Sequence, residues 1–396
     1  MTAQDHNADR SPAASRTSPS LLFAAFFRLG LTAFGGPAMV AYMRELAVSR
    51  KRWLTDESFQ NGVVLCQTIP GATAMQTAAY VGLRAHGIRG ALAAYIGFML
   101  PAFVLMFILS AVYATTRNVP AVLAAFAGLR VIVVAIIANA LVGFARKTVT
   151  RAVEVPVALI AGLLLGIGGN PALVLLAAGL AGVLLHGRQS GAAGFDHAPA
   201  VPVPMKAAGI GLLLAAAAVG CLFCFQARLG LLALIMMKVD ALGFGGGFAS
   251  VPLMMHEIVD ARGWLPRGVF MDGIALGQVT PGPIVITATF VGYQLLGWTG
   301  ALVGTLGIFT TSFLVLLLAL PHFDRLNNLP WFRRAVRGIL IAFVGLLLAV
   351  TVQFALTVAW SWPAVALALA AFTALLLKVD ILWVVLTGGA LSVFVL

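Results

Sequence analysis

From Ala208 to Gln226 the chain runs without a single charged residue. Runs of this kind recur along nearly the whole length, and each approaches the roughly 20 apolar residues that carry a helix across a bilayer. With 61% of its 396 residues hydrophobic and 10% charged, the sequence describes a polytopic membrane protein. Inside hydrocarbon every backbone amide needs a partner within the protein, which leaves helix bundles and closed barrels. Barrel strands alternate apolar and polar residues, and these runs do not. The predicted fold class is therefore an all-α polytopic integral membrane protein.

The net charge of +12 is carried by Lys and Arg in short loops between apolar runs, so it reads as a topological signal and not as a nucleic-acid surface. Residues 1–19 are polar and lack a basic stretch leading to a cleavage site, which predicts a disordered cytoplasmic tail. Cys66, Cys221 and Cys224 lie in apolar surroundings without the spacing of a disulfide framework or metal site. No metal and no cofactor are expected.

Two of the apolar runs contain the strongest helix breakers. "FGGPA" occupies Phe34 to Ala38 and "FGGGFAS" occupies Phe244 to Ser250. The two halves match at an offset of 210 to 212 residues. Arg28 meets Lys238, Glu45 meets Glu257, Trp53 meets Trp264, and "QTIPGA" from Gln67 meets "QVTPGP" from Gln278. "YVG" ending at Gly82 meets "FVG" ending at Gly292, and "GAL" from Gly90 meets "GAL" from Gly300. This order of matches indicates duplication.

Loop charges give each copy an orientation. In the first half the successive loops carry Arg84 and Arg89, then Arg117, then Arg146, Lys147 and Arg151. In the second half the loop from Gly292 has none, the next carries Arg325, Arg333, Arg334 and Arg337, and the stretch from Thr357 has none. Equivalent loops fall on opposite sides, which predicts inverted-topology repeats, about 13 membrane segments and a cytoplasmic N-terminus. Arg50, Lys51 and Arg52 run against that count, since it makes their loop external. The predicted organisation is a tail at 1–19, a first repeat at 20–186, a linker at 187–206, a connecting transmembrane helix at 207–226 and a second repeat at 227–396. The paired segments within 154–186 and 363–396 are short for straight spans and can be hairpins.

A Gly-Gly-Pro or Pro-Gly in a membrane helix survives only inside the protein or facing water. Each half offers two breaks, and half-helix N-termini present free amides and partial positive charge to an anion. Candidate binding residues are Gly35, Gly36, Gln67, Thr68, Pro70, Gly71 and Thr73 in the first half. Gly245, Gly246, Ser250, Gln278, Thr280, Pro281 and Gly282 are their counterparts in the second. Arg28 and Lys238 add charge at equivalent positions; a cation at the bilayer centre costs on the order of 3 kcal/mol unless something offsets it. Both can equally snorkel to an interface, the hydroxyls can cap broken helices, and the prolines can mark ordinary kinks. Glu45 and Glu257 are candidate coupling carboxylates or, alternatively, solvated residues at helix ends.

"FFRLGLTAFGGPA", "QTIPGATA", "FGGGFASVPL" and "GQVTPGPIVITATFVGY" resemble the paired signatures of the chromate ion transporter family, over nearly all of the chain from residue 20. The resemblance implies chromate export across the bacterial inner membrane and chromate resistance, with sulfate as the chemically similar competitor. Ala72 departs from the pattern where Pro283 keeps it, and Thr311 stands opposite Pro101. Chromate and sulfate are both tetrahedral dianions, and sequence does not separate them. The implied partners are the oxyanion and the lipid bilayer, without nucleic acid; a homodimer is compatible with this reading.

Moving one charge through 100 mV is worth about 2.3 kcal/mol, so an inside-negative membrane expels dianions. No G-x-x-x-x-G-K-[ST] loop is present for ATP, which favours a secondary mechanism. An oxyanion importer is the nearest rival. An enzyme is disfavoured: "HEIVD" from His256 has Asp260 where a zincin needs its second histidine, and the Cys221 and Cys224 thiols sit in a wholly apolar run.

Overall fold

The computed structural model describes residues 17–34, 36–185, 205–323 and 329–395. Gly35, the first 16 residues and most of the predicted linker lie outside the described residues. Within them, the regular structure is helical. The first half comprises α1 (Pro19–Thr32), α2 (Gly36–Arg44), α3 (Asp56–Thr68), α4 (Thr73–Thr116), α5 (Pro120–Thr148), α6 (Glu154–Gly166) and α7 (Pro171–Leu185). Then follow α8 (Met205–Phe225), α9 (Ala227–Leu242), α10 (Ser250–Met255), α11 (Arg267–Val279) and α12 (Thr287–Ala319). The chain closes with α13 (Pro330–Thr357), α14 (Trp362–Leu376) and α15 (Ile381–Val395). Among the described residues, five stretches are long and apolar enough to cross a membrane: α4, α5, α8, α12 with its flanking turns, and α13.

Two of these long helices fold back on themselves. In α4 the chain reverses at His86 and Gly87, and in α12 at Leu296 and Gly297, with Gly87 at φ +61° and Gly297 at φ +63°. Only glycine adopts this backbone readily. The two arms then touch through glycine: a Cβ on Gly82 would strike the Gly90 carbonyl, and one on Gly292 would strike the Gly300 carbonyl. The repeated "YVG…GAL" and "FVG…GAL" patterns thus encode a tight helical hairpin, with the turn after the first arm and small residues at the crossing.

The Pro-Gly breaks also reverse the chain. Tyr80 on the first arm of α4 lies against Gly62 and donates its hydroxyl to the Ser58 carbonyl at 3.0 Å, and Arg84 donates to the Ser58 hydroxyl at 3.0 Å. Contact thus moves toward the start of α3 as it moves toward the end of the arm, so the two run antiparallel. The second half repeats this, with Gly273 against Phe290 and Gly277 against the Thr287 hydroxyl. At 13 residues, α3 and α11 extend only about 20 Å, too little for the ~30 Å hydrocarbon core. Each repeat therefore carries a re-entrant hairpin with its Pro-Gly at the tip.

The "FGG" breaks have the same consequence. Helix α1 runs alongside the second arm of α4 (residues 88–116), with Leu22 near Gly90 and Gly30 against Phe98 and Pro101. Past the break, α2 continues through a π-helical turn at Glu45–Arg50, and Trp53 returns to stack on Phe26 of α1, centroids 6.4 Å apart. The chain thus comes back toward the side where α1 began. The Arg50–Arg52 loop, which straight crossings would have placed opposite, lies on the same side as Arg84. Its charge is also partly neutralised: Arg50 is bonded to Glu45 at 2.7 Å and Arg44 to Asp56 at 2.6 Å.

The halves exchange supports. Helices α6 and α7 of the first pack on α13 of the second, and α14 and α15 pack on α5 of the first. Small residues allow these approaches. A Cβ on Gly345 would collide with the Ala158 carbonyl, and one on Gly338 with that of Ala178. Arg337 adds an ion pair to Glu154 at 2.7 Å, and Glu154 also accepts the Thr150 and Arg151 amides. In lipid the contact between helices comes from such close packing and not from an aqueous hydrophobic drive. Gly345→Val is expected to lower the detergent-solubilised unfolding midpoint by several degrees, the effect of about 1–3 kcal/mol of overpacking, measured by thermal shift.

Candidate functional site

The site is built where the hairpin tips of each half meet the helix break of the other. The Gly71 amide donates to the Gly243 carbonyl at 3.0 Å, and the Gly282 amide donates to the Ala33 carbonyl at 3.0 Å. Gly71 and Gly282 are repeat equivalents, as are Gly243 and Ala33, so the two bonds are one contact made twice. The tips need glycine because φ is +118° at Gly71 and +99° at Gly282. Gly282 faces the Ala102 side chain, and Ala102 stands at the centre of the 88–116 arm. An arm of that length extends about 40 Å, so the Gly282 tip meets the middle of it.

The Ala72 amide donates to the Ser312 hydroxyl at 2.7 Å, and Ser312 donates to Asp240 Oδ2 at 2.6 Å. Gln76 donates to the Pro70 carbonyl at 2.7 Å and fixes the tip from within. Helix α4 opens directly after it, and helix geometry leaves the first-turn amides of Thr73, Ala74 and Met75 without intrahelical acceptors. Gly246, at φ +97°, brings its backbone close to the Thr73 hydroxyl. Gln67 and Gly245 are exposed, and Thr68, Pro70, Thr73 and Gly246 are half-buried, so this tip borders an accessible face. The counterpart around Pro281 and Gly282 is buried.

The structure brings Gly71, Thr73 and Gly246 together, and separates others. The hydroxyls of Thr68, Thr73 and Thr280 donate to the carbonyls of Val64, Cys66 and Gly277, within their own halves. Ser250 Oγ and Gln278 Nε2 are buried without partners among the described residues. Gly36 begins α2. Arg28 is exposed on α1. Lys238 is bonded to Glu257 at 2.7 Å, and Arg262 reaches the same carboxylate at 2.5 Å, so two cations share one acid. Glu45, the equivalent of Glu257, is instead exposed and paired with Arg50.

Two groups escaped the sequence reading. Asp240 is fully buried four residues before Phe244. Asp272, also fully buried on α11, accepts two bonds from Arg130 of α5, at 2.7 and 2.8 Å, and one from Tyr113 at 2.8 Å. An ionisable residue within an apolar run was the available signal for each.

A multi-pass helical membrane protein with paired, reciprocally bonded re-entrant hairpins has the build of a transporter. The chain belongs to the chromate transporter family, whose match covers residues 20–183 and again 230–393. It is 41% identical over 389 residues to an uncharacterized transporter of Methanocaldococcus jannaschii, covering 96% of each chain. It is 32% identical over 385 residues to a chromate transport protein of Pseudomonas aeruginosa, covering 93% of this chain and 90% of that one. A chromate transport protein of Cupriavidus metallidurans is 30% identical over 370 residues, covering 89% of this chain and 86% of that one. No solved structure matches the chain.

Proposed function

We propose that this protein is a secondary transporter, not an enzyme, that exports chromate across the inner membrane and so confers chromate resistance. The observation that carries this reading is the pair of equivalent tip-to-break bonds, Gly71 to Gly243 and Gly282 to Ala33, made between halves. The first-turn amides of α4, beside Gly246, supply N–H donors and a positive helix end suited to a tetrahedral oxyanion. Lys238 and Arg262 share the single carboxylate of Glu257, so that three-residue cluster carries one positive charge. The membrane potential supplies the outward drive for a dianion, and the names of the family relatives point to chromate.

Inverted repeats are part of this reading. Three long helical stretches, the second arm of α4, then α5, then α8, separate the start of α1 from the start of α9, and an odd number reverses the second half. Tyr95, early on its arm, donates to the Phe309 carbonyl and packs on Phe313, late on the α12 arm. Ala208, at the start of α8, clusters with Leu83, Ala91 and Leu317. Arg84, Arg89, Arg146, Lys147, Arg333 and Arg334 then gather on one side with the α1 end, which makes that side and the N-terminus cytoplasmic.

The test is chromate accumulation in expressing cells, paired with oxyanion flux in everted vesicles. The wild type is expected to lower accumulation, and Lys238→Ala to slow export roughly tenfold, the equivalent of about 1.4 kcal/mol. Arg28→Ala is the mirrored comparison. Equal export by both variants at equal expression removes the cationic part of the site. Net uptake of sulfate, with no outward chromate flux, replaces export by oxyanion import.

A further inference from the structure

Asp240 puts a carboxylate one hydroxyl away from the proposed anion site. Its Oδ2 accepts from Ser312, whose oxygen in turn accepts the Ala72 amide, and its Oδ1 has no partner among the described residues. No ion pair to it is formed among them either. The neighbouring Lys238 is turned to Glu257. From the second arm of α4, Tyr95 donates its hydroxyl to the Phe309 carbonyl. From α12 come the hydroxyls of Ser312 and Thr311, the latter donated to the Met237 carbonyl. Gln76 faces the tip from the first arm of α4, and Ser250 of α10 lies beside Gly243. On α8 the thiols of Cys221 and Cys224 are exposed. None of these neighbours is a cation.

The feature belongs to one half only. The equivalents of Asp240 and Ser312 are Gly30 and Ala102, so the other tip meets a methyl group where this one meets a hydroxyl and an acid. A buried dianion and an ionised carboxylate this close are like charges in a poorly screened setting, and one must be neutralised for the other to stay. Glu45 and Glu257 are unsuited to that task, because each is already held by a cation.

We propose that Asp240 is the proton-coupling site: its carboxylate takes up one proton as the oxyanion docks at the residue 71–73 tip and gives it up as the oxyanion leaves. The proton comes from the solution on the loading side and goes to that on the release side. One proton therefore travels with each dianion, and the net charge moved is one and not two. This inference rests on the oxyanion-transport reading above and names the carboxylate that serves it.

The experiment uses purified full-length protein at mildly alkaline pH, where chromate and sulfate are both dianions, in weakly buffered detergent solution. Chromate binding to the wild type is expected to remove about one proton per oxyanion bound from solution. Asp240→Asn, which keeps an acceptor for Ser312 and mimics the neutral acid, is expected to bind chromate with no proton uptake. In proteoliposomes with a trapped pH dye, the variant should move chromate without acidifying the receiving compartment. Chromate binding by the wild type without proton uptake, proton uptake that persists in Asp240→Asn, or an Asp240→Asn protein that is folded yet binds no chromate would each overturn the assignment. Failure of the wild type to bind or move either oxyanion instead removes the transport reading itself.

Discussion

Gly71→Ala is expected to abolish oxyanion flux while leaving a protein that still inserts and purifies. The backbone there has φ +118°, and an added methyl would lie 2.5 Å from the Ser312 hydroxyl and 2.7 Å from the Gln76 amide. The strained conformation costs on the order of 1–3 kcal/mol, and crowding of the tip adds a similar amount. The tip must then move away from Ser312, and the bonds from Ala72 and to Gly243 are lost together. Gly87→Ala separates strain from position, since φ is +61° but nothing lies within 4 Å of the new methyl. That variant should lose some thermal stability and keep most of its transport. Flux in proteoliposomes at matched protein content, with unfolding midpoints alongside, distinguishes the two. Equal transport by Gly71→Ala and wild type would show that the tip has no part in the pathway.

The largest stability effect is expected at Asp272. Its carboxylate joins α11 of the second half to α5 and α4 of the first by accepting from Arg130 and Tyr113. Asp272→Ala leaves the guanidinium and the phenol without their acceptor, a loss on the order of 3 kcal/mol for a buried pair broken on one side. Arg130 is one-third exposed, so water recovers part of this for the arginine. Removing both charges should cost less than removing Asp272 alone, and a double-mutant cycle with Arg130→Leu measures the coupling. Additive losses in that cycle would mean that the pair does not act as a unit.

The sequence made the breaks visible because glycine and proline in an apolar run have few structural uses. Gly71, Gly282 and Gly246 stand in these breaks, and all three have positive φ. What the breaks do to chain direction was harder to see. A pause in a crossing helix and the tip of a hairpin have the same composition, and only Tyr80 against Gly62 and Trp53 on Phe26 distinguish them. The Arg50–Arg52 loop became an anomaly in the charge count for that reason alone. The tie between Ala72, Ser312 and Asp240 was hidden differently, since its members are 240 and 72 positions apart and the duplicated half offers only Gly30 and Ala102 for comparison. Repeat alignment draws attention to what is shared, and Asp240 is what is not.

The exchanged supports bear on how the chain is made. Helices α6 and α7 leave the ribosome well before α13, the helix on which they come to rest, and α5 likewise waits for α14 and α15. A nascent first half therefore sits in the bilayer with its partner surfaces facing lipid until the second half has been made. Arrival of α14 and α15, and not insertion of the earlier helices, completes the support of α5.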